Sequence, residues 1–530
     1  MQTKFSRTEQ AIRWCEYAAA GLITLLIVFL HFQFWRSAGP LWRDEVCSFN
    51  VATADSLKET WRLLAFENQP LLHYLILRIW CGLSFGGTDT GLRALGLVIG
   101  LVLTGIIWFA SWRINKTAPL WALTIFALNP YTFRTDSLRP HGLALVWIVL
   151  AFAFFWQLTF EERPRIAVVI LATIAGVVGV QTAFLNAIIL GAICCASATV
   201  LALKGNWRRI GLPLGIGLVA ALSLVPYLPQ IQRAQHWNDV RDVMHSFAFV
   251  SGAFLQILTF GDLFVASVFV ALVLLTIACA VVPRLRKRLA PEVTNGANSL
   301  LFAAFASLFA AIGTFVFLWL LKFPLQDRYY LPLLAVLALS ITVAISALQR
   351  SIAARLVTLS ACVVLAAGLF RHASDHAKLR LTNCDLAAAA VATEAQSDDL
   401  VVMTRFAYGI TFQRYYRGNV PWHAIPDISD YSLFRWDLVQ SAMAEADAMH
   451  DLLLRAELAL RSGHKIFLVG PLGAQTREAA VIEGYLRNWR QELTELINRH
   501  AADAQDRPLP NWEAVDPVER LNVTGVSGWH

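Results

Sequence analysis

The sequence predicts a mainly α-helical fold: a polytopic transmembrane helical bundle followed by a soluble α/β domain. Of its 530 residues, 57% are hydrophobic and only 15% are charged, a composition that soluble proteins do not have. Long uncharged apolar runs recur along the chain, each near the roughly 20 residues that a spanning helix needs. After residue 370 the composition changes to ordinary polar content. These observations place most of the chain in a membrane.

The apolar runs predict about eleven spanning helices. Residues 142–160, 263–282, 299–321 and 331–348 are the clearest examples. The first run, from about residue 17 to 32, follows a basic start but has no small-residue cleavage site leading into a soluble body. We therefore expect it to be retained as a helix and not removed as a signal peptide.

The lysines and arginines predict the orientation of the chain. A net charge of +7 could suggest a nucleic-acid partner, but the basic residues form short clusters between apolar runs and therefore report topology. With a cytoplasmic N-terminus, most of these clusters lie in the cytoplasm, as the positive-inside rule requires, and the C-terminus lies outside. The apolar segment 71–85 then lies along the outer surface, because a crossing there would invert every later loop.

Two domains are predicted from the change in composition. Residues 1–370 form the membrane module, and its first outer loop, residues 36–93, is unusually long. Residues 371–530 form the soluble domain outside the membrane.

The pattern within the soluble domain predicts both strands and helices. Residues 398–404 and 464–470 predict buried strands, whereas 442–461 and 475–499 predict amphipathic helices. Strands that alternate with helices favour a small α/β layer structure, although the pattern does not give the strand order.

The eight cysteines do not form a zinc-binding pattern, because Cys194 and Cys195 are adjacent within a span and the others are far apart. Cys47, Cys81 and Cys384 lie on the outer side in this topology. A Cys47–Cys81 disulfide stays open, and unpaired thiols are favoured.

Acidic side chains in the first outer loop are the first candidates for chemistry. Asp44 and Glu45 follow the first span directly, and Glu67 stands before Pro70. Carboxylates at the edge of hydrocarbon lose solvation, so they are disfavoured unless they pair with cations, bind metal or transfer protons. Taken alone, the Asp-Glu dipeptide favours a plainer interpretation, in which both are solvated loop acids paired with Arg43 or Arg62.

A series of motifs extends this pattern across residues 35 to 335. Its elements, in chain order, are Asp44-Glu45, Glu67 with Pro70 and His73-Tyr74, Phe85-Gly86-Gly87 leading to Arg93, Asn129-Pro130 followed by Arg139-Pro140-His141, and Arg328-Tyr329. The series resembles the GT-C glycosyltransferases, in particular the group around the aminoarabinose-lipid A transferases and the protein O-mannosyltransferases. Matches in one order and on one membrane face are more specific than any single motif.

The resemblance implies a bacterial inner-membrane enzyme with a periplasmic C-terminal domain. Its donor would be a polyprenyl-phosphate sugar held among membrane lipids, and its acceptor an envelope lipid such as lipid A, a polysaccharide or a protein hydroxyl. A single in-line displacement at the periplasmic face would invert the anomeric configuration. The interfacial segment 71–85 could then form one wall of the groove for the carrier.

The resemblance also implies a role for each site residue. Asp44 would act as general base, while Glu45 and Glu67 would shape the site, orient the acceptor or hold a divalent cation. Arginine binds phosphate through a planar fork that stays charged, so Arg139 and Arg328 are the main phosphate ligands.

Further phosphate-binding candidates are Arg93, His141 and Tyr329. Each also has a plainer interpretation, since an arginine at a helix end can snorkel to the interface and a lone His or Tyr there can be structural. Asp136 is expected to pair with Arg134 or Arg139.

Two other functions stay open at this point. A polytopic transporter of an envelope precursor also suits interfacial acids, although transporters usually place ionisable residues inside their spans and show two related halves. A binding or assembly role could use the soluble domain to recruit partners.

Overall fold

The computed structural model describes residues 7–67, 69–83, 85–236, 247–259, 294–320, 326–348, 351–472, 481–510 and 514–530, with four isolated helical residues between 267 and 274. Most of the predicted span 263–282 lies outside these residues.

Helices make up nearly all of the first part of the chain. In order they are α1 (Arg7–Ser37), α2 (Arg43–Ala52), α3 (Leu57–Leu63), α4 (Leu72–Gly82), α5 (Asp89–Asn115), α6 (Leu120–Ala122), α7 (Pro130–Phe133), α8 (His141–Phe160), α9 (Ile166–Thr182), α10 (Asn186–Leu203), α11 (Trp207–Leu222), α12 (Leu228–His236), α13 (Phe247–Thr259), α14 (Thr294–Leu320), α15 (Leu331–Leu348) and α16 (Ile352–Ala377).

Eight helical stretches in the described part are long and apolar enough to cross a membrane, so the chain is a multi-pass membrane protein. They are Arg7–Ser37, Asp89–Asn115, His141–Phe160, Asn186–Leu203, Trp207–Arg233, Asn298–Leu320, Asp327–Ser346 and Ile352–Ala377. The apolar helix α9 is slightly shorter, at 17 residues.

The segment predicted to lie along the surface contains helix α4. Its 11 residues rise about 16 Å at 1.5 Å per residue, which is about half of the hydrocarbon thickness. The helix is too short to cross. His73, Tyr74 and Leu77 form its buried face, and Ile79 on the other side is 65% exposed.

Close packing of α5 brings the turn before Arg139 into the helical core. A Cβ atom at Gly96 would lie 1.6 Å from the carbonyl oxygen of Asp136, so only glycine allows this approach. Asp136 then meets α1, where its Oδ2 lies 2.5 Å from His31 Nδ1. The predicted pairing of Asp136 with Arg134 or Arg139 is therefore wrong, because burial beside α1 gives it a histidine partner.

A five-stranded mixed sheet organises the C-terminal part. Its strands are β1 (Leu400–Met403), β2 (Trp422–Ala424), β3 (Ile466–Val469), β4 (Asp503–Arg507) and β5 (Val523–Ser527), in the order β2-β1-β3-β5-β4. Strand β1 runs parallel to β2 and β3, and β5 is antiparallel to β3 and β4. The two predicted strands correspond to β1 and β3, which are fully buried.

The helices around this sheet are α17 (Cys384–Glu394), α18 (Phe406–Tyr415), α19 (Trp436–Ala444), α20 (His450–Arg461) and α21 (Val481–His500). The single helix predicted for 442–461 is wrong. Glu445 adopts an extended conformation, and the chain turns before α20 so that Met449 is buried. Residues 475–480 of the other predicted helix lie outside the described part.

The C-terminal part packs directly on the segment between α1 and α5. Asn50 Nδ2 of α2 donates to the carbonyl oxygen of Ser432 at 2.7 Å. At the start of α5, Asp89 accepts hydrogen bonds from Arg414 at 2.8 Å and from the Tyr415 hydroxyl at 2.6 Å. These contacts hold the loop that carries the acidic pair between the membrane helices and the sheet.

Candidate active site

Asp44 lies in the first turn of α2, where the positive end of the helix dipole favours a carboxylate. Its side chain is buried, and Arg328 Nη2 donates to Oδ2 at 2.9 Å. Burial by itself would raise the pKa of Asp44, but the nearby charges of Arg328 and Arg139 lower that pKa below its ordinary value. Asp44 is therefore ionised at neutral pH and held by an arginine.

Arg139 connects α2 to the second acidic position. Its Nη1 donates to the carbonyl oxygen of Asp44 at 3.1 Å, to Ser48 Oγ at 3.1 Å and to Glu67 Oε2 at 3.2 Å. The Tyr74 hydroxyl donates to the same Glu67 oxygen at 3.0 Å. The charges of Glu67 and Asp44 raise the pKa of Arg139 despite its burial, so the guanidinium stays charged.

The other acid of the pair, Glu45, has a different environment. It is fully buried, and Arg93 binds both of its carboxylate oxygens. The backbone N–H groups of Trp42 and Leu138 also donate to this carboxylate, at 3.2 and 3.1 Å. Arg93 directs its remaining donors to the carbonyl oxygens of Gly39 and Pro40. This ion pair joins α2, α5 and the segment before Arg139, and it leaves neither group facing a cavity.

Glu45 and Glu67, for which binding a divalent cation was one of three possible roles, are already bound by protein groups. Glu45 is saturated by Arg93 and two backbone donors, and Glu67 is bound by Arg139 and Tyr74. Across the described ranges, no group of three or more His, Cys, Asp or Glu side chains is placed to hold a metal ion. These carboxylates instead hold the side chains of Arg93 and Arg139 in place.

An apolar cavity of about 270 Å³ opens beside this cluster. Its walls come from α8, the junction of α9 and α10, the region from Leu224 into α12, and the end of α14, with Leu145, Phe184 and Phe317 as representative side chains. Its polar end is formed by Glu67, Gln69, His141, Arg328 and Tyr329.

The structure thus brings together most of the predicted site residues and separates two of them. Asp44, Glu67, Arg139 and Arg328 form one connected cluster, and His141 and Tyr329 line the adjoining cavity. Among the described residues, Arg139 Nε, Arg328 Nε and His141 Nε2 are buried without a hydrogen-bond partner. Glu45 and Arg93 pair with each other behind this cluster.

Sequence comparison alone does not place this chain, since no protein-family model and no curated protein matches it. Solved structures do match it. ArnT from Cupriavidus metallidurans in the apo state aligns with a TM-score of 0.53 and 13% identity, covering 96% of this chain and 98% of that one. The same protein bound to undecaprenyl phosphate aligns with a TM-score of 0.53 and 14% identity, covering 95% of this chain and 98% of that one.

An oligosaccharyltransferase from Archaeoglobus fulgidus, in complex with Zn and sulfate, aligns with a TM-score of 0.50 and 13% identity over 90% of this chain and 71% of that one. Both neighbours are GT-C proteins. This chain has the GT-C fold. The fold class that the motif series predicts is therefore confirmed, by a similarity that extends over nearly the whole chain.

Some side chains of this site were not predicted from the sequence to contribute to it. Gln69 lines the cavity, and Tyr74 donates to Glu67. Both residues lie in the same motif as Glu67, so their spacing from Glu67 could have indicated that they belong to the site. Asn186 also lines the cavity, but nothing in its local sequence distinguishes it from an ordinary helix-start residue.

Glu519 is a further contributor that has no sequence signal. It is fully buried in the C-terminal part, and the backbone N–H of Arg43 donates to its Oε2 at 3.4 Å. Burial raises the pKa of Glu519 to about 7, although the Arg43 charge opposes the rise. The soluble part of the GT-C fold thus places a titrating carboxyl beside the residue that precedes Asp44.

The raised pKa of Glu519 predicts that stability falls as pH rises. Between its unfolded pKa, near 4.5, and pH 7 the unfolded chain loses the proton first, so folding weakens by up to roughly 1.4 kcal/mol per pH unit. We expect the melting temperature in detergent to decrease from pH 5 to pH 7 and to decrease less in Glu519→Gln. Glu495→Gln, an exposed substitution, should retain the wild-type profile; equal slopes in all three proteins would contradict this assignment.

Proposed function

We propose that the chain is a membrane glycosyltransferase that transfers a sugar from a polyprenyl-phosphate-linked donor to a cell-envelope acceptor at the periplasmic face of the inner membrane. The observation that carries the proposal is the apolar cavity ending at Arg328, next to the ionised Asp44. A polyprenyl-phosphate sugar has the same layout, with an apolar tail, a phosphate at the interface and a sugar beyond it.

Arg328 and Arg139 are suited to the donor phosphate. The donor is a phosphodiester with one negative charge, and breaking its bond to the sugar leaves a monophosphate with an additional charge. Arg328 lines the cavity, and its buried Nε has no hydrogen-bond partner within the described residues. A preorganised guanidinium at this point stabilises the charge that develops on the leaving oxygen.

Asp44 is suited to activate the acceptor. Its ion pair with Arg328 keeps it ionised but lowers its pKa, which makes it a weak base in the empty site. A donor phosphate that binds Arg328 competes for the guanidinium, and the carboxylate regains basicity. The acceptor oxygen then bonds to the anomeric carbon, the bond from that carbon to the phosphate oxygen breaks, and the acceptor proton passes to Asp44.

This displacement inverts the anomeric configuration, because the acceptor attacks opposite the leaving phosphate. ArnT from Cupriavidus metallidurans, a neighbour in fold, has been solved bound to undecaprenyl phosphate, which supports a polyprenyl phosphate as the carrier here. The acceptor class spans envelope lipids, glycans and protein hydroxyls. Glu67 and Tyr74 orient Arg139 in this scheme, and the Glu45–Arg93 pair supports the loop.

Orientation follows from the distribution of basic residues. The proposal places the N-terminus in the cytoplasm and residues 371–530 in the periplasm as a separate domain, with residues 1–370 as the membrane module. Asp44 then lies on the periplasmic side, where lipid-linked envelope precursors are used.

Filling the cavity tests the proposed function. Cells that lack the chain should lose one envelope glycoform in mass spectrometry, and wild-type protein should restore it. In Ala187→Trp the indole occupies space that the carrier needs, so we expect restoration to fall at least about tenfold and labelled undecaprenyl phosphate to bind more weakly, as burial of apolar carrier surface is lost.

Ala202→Trp is the matched control, since Ala202 is half-buried on the same helix α10 but does not line the cavity. It should restore the glycoform fully. Cells that lack the chain yet keep every glycoform would end the proposal. Loss of the glycoform together with no sugar transfer by the purified protein from a labelled donor would point instead to a transporter.

A further inference from the structure

A second, smaller cavity adjoins the apolar cavity at Arg328. We call this space of about 60 Å³ the vestibule, and define it by Trp42, His141, Asp327, Arg328, Asp516 and Val518. Two of these residues, His141 and Arg328, line both cavities. The vestibule therefore shares Arg328, the side chain proposed to bind the donor phosphate, with the apolar cavity.

We propose that the vestibule binds the acceptor as a neutral, hydroxyl-rich sugar unit, and that the C-terminal domain supplies one wall of this subsite. The inference rests on the proposed function and adds the chemical class of the acceptor. It also gives the soluble domain a part in substrate selection.

Position is the first argument for the proposal. Arg328 lines both cavities and binds the Asp44 carboxylate at 2.9 Å. A hydroxyl in the vestibule approaches the anomeric carbon from the face opposite the leaving phosphate, as an in-line displacement requires. The same hydroxyl lies on the side from which Asp44 can take its proton.

The hydrogen-bonding groups of the vestibule form the second argument. His141 is more than nine-tenths buried, and its Nε2 has no hydrogen-bond partner in the described part of the chain. Trp42 is only half-buried, but its Nε1 atom is buried and likewise has no hydrogen-bond partner there. Unpaired buried polar atoms are costly, and they usually mark a ligand or water position. A sugar hydroxyl can both donate and accept, so it can satisfy either atom.

Charge distinguishes a neutral sugar from an anionic one. Asp327 and Asp516 line the vestibule, and carboxyl oxygens accept hydrogen bonds from hydroxyl groups. The two arginines in the wall are already engaged, Arg134 with Asp516 and Arg328 with Asp44. When the donor phosphate occupies Arg328, a phosphorylated or carboxylated acceptor would bring a second anion beside that phosphate and the acidic wall, whereas neutral hydroxyls donate to the wall without repulsion.

The volume of the vestibule fits the reacting end of a sugar unit. A volume of 60 Å³ corresponds to roughly four to six water positions, enough for the reacting hydroxyl and the neighbouring edge of a pyranose ring. Trp42 also lines this space, and the guanidinium groups of Arg43 and Arg328 lie over its ring at 5.5 and 6.0 Å.

The wall contributed by the C-terminal domain is fixed in place. Asp516 caps the turn Pro517–Glu519 by accepting from the Val518 N–H at 2.9 Å, and it also binds Arg134. Arg43 Nη1 donates to the Val518 carbonyl oxygen at 3.3 Å. The turn is thus held against both segments that carry the proposed catalytic groups.

Substitution of Val518 tests the inference. In Val518→Trp the larger side chain narrows the vestibule, so the concentration of acceptor fraction that half-saturates transfer should rise at least tenfold. Binding of labelled undecaprenyl phosphate should be unchanged. The acceptor fraction is an envelope extract from cells that lack the chain. Val481→Trp is the matched control, because Val481 is 44% exposed and Val518 is 42% exposed, in the same domain; it should leave both quantities unchanged.

Inhibition measurements test the acceptor class. Short neutral oligosaccharides should compete with the acceptor fraction in wild-type protein and lose potency in Val518→Trp, while the same compounds carrying a phosphate should not compete. The inference would be overturned if only phosphorylated compounds competed, or if the half-saturating concentration of acceptor fraction were unchanged in Val518→Trp. In either case, sugar transfer by wild-type protein would still support the proposed function. Absence of sugar transfer by wild-type protein would instead reject the proposed function itself.

Discussion

Asp44→Asn is expected to reduce the turnover of sugar transfer by about 10²- to 10⁴-fold, the range typical for removal of a general base. The substitution keeps the size of the side chain and removes its ability to take a proton. Arg328 loses its partner at 2.9 Å, but its side chain is 22% exposed and lies over the Tyr329 ring at 5.7 Å, so the chain should still fold. Initial rates of transfer with purified protein and a labelled donor measure the effect.

Binding of the carrier separates a base from a phosphate ligand. Because Asp44→Asn releases Arg328 from its ion pair, the variant should bind labelled undecaprenyl phosphate at least as tightly as wild-type protein. Asp55→Asn, an exposed acid of the same outer loop, is the control and should change neither binding nor turnover. Full turnover in Asp44→Asn would remove Asp44 from the catalytic role, and weaker carrier binding would assign it to the donor site.

The sequence was sufficient to predict the membrane part, because hydrocarbon leaves few alternatives to long apolar helices. Loop charge likewise predicted that α4 does not cross, and its 11 residues are too few to do so. The structure of the C-terminal part was harder to predict from the sequence. Strands β1 and β3 are continuous apolar runs, whereas β4 (Asp503–Arg507), at the edge of the sheet, is polar at every position except Ala504 and has no hydrophobic pattern.

Pairing between acids and arginines could not be predicted from the sequence. Asp44 and Glu45 are neighbours in one helical turn, yet Asp44 binds an arginine 284 positions away and Glu45 binds one 48 positions away. Which arginine approaches which acid depends on how α5, α8 and the helix after Arg328 pack. The motif series identified the set of residues, and tertiary packing divided that set into a cavity-facing cluster and a buried pair.

Packing between distant segments also explains why the sequence did not predict a contribution from Glu519 and Asp516. Both act on the site from the C-terminal part, more than 370 residues from the segments that they contact. Their local sequence is an ordinary polar turn. Only the docking of the sheet on the first outer loop makes them neighbours of Arg43 and Arg134, and no periodicity reports docking between distant segments.

Breaking the Glu45–Arg93 ion pair should destabilise the fold, and it should reduce sugar transfer only through the loss of folded protein. Both groups are almost completely inaccessible to solvent, and removing one partner of a buried ion pair typically costs about 3–5 kcal/mol because the other charge stays buried and unpaired. We expect Arg93→Met to lower the melting temperature strongly and to reduce transfer only in proportion to the fraction of folded protein. Thermal unfolding in detergent, followed together with transfer rates, measures both.

The exposed pair Glu59–Arg62 in the same loop provides the matched control, and Arg62→Met should leave the melting temperature unchanged because solvent screens that pair. The double variant Glu45→Leu with Arg93→Met removes both buried charges, so it should recover part of the stability lost in Arg93→Met. Recovery of stability and transfer together would establish a structural role for both residues. If Arg93→Met instead kept its melting temperature and lost transfer, Arg93 would have to contact the donor, and the assignment of this pair to the support of the outer loop would be wrong.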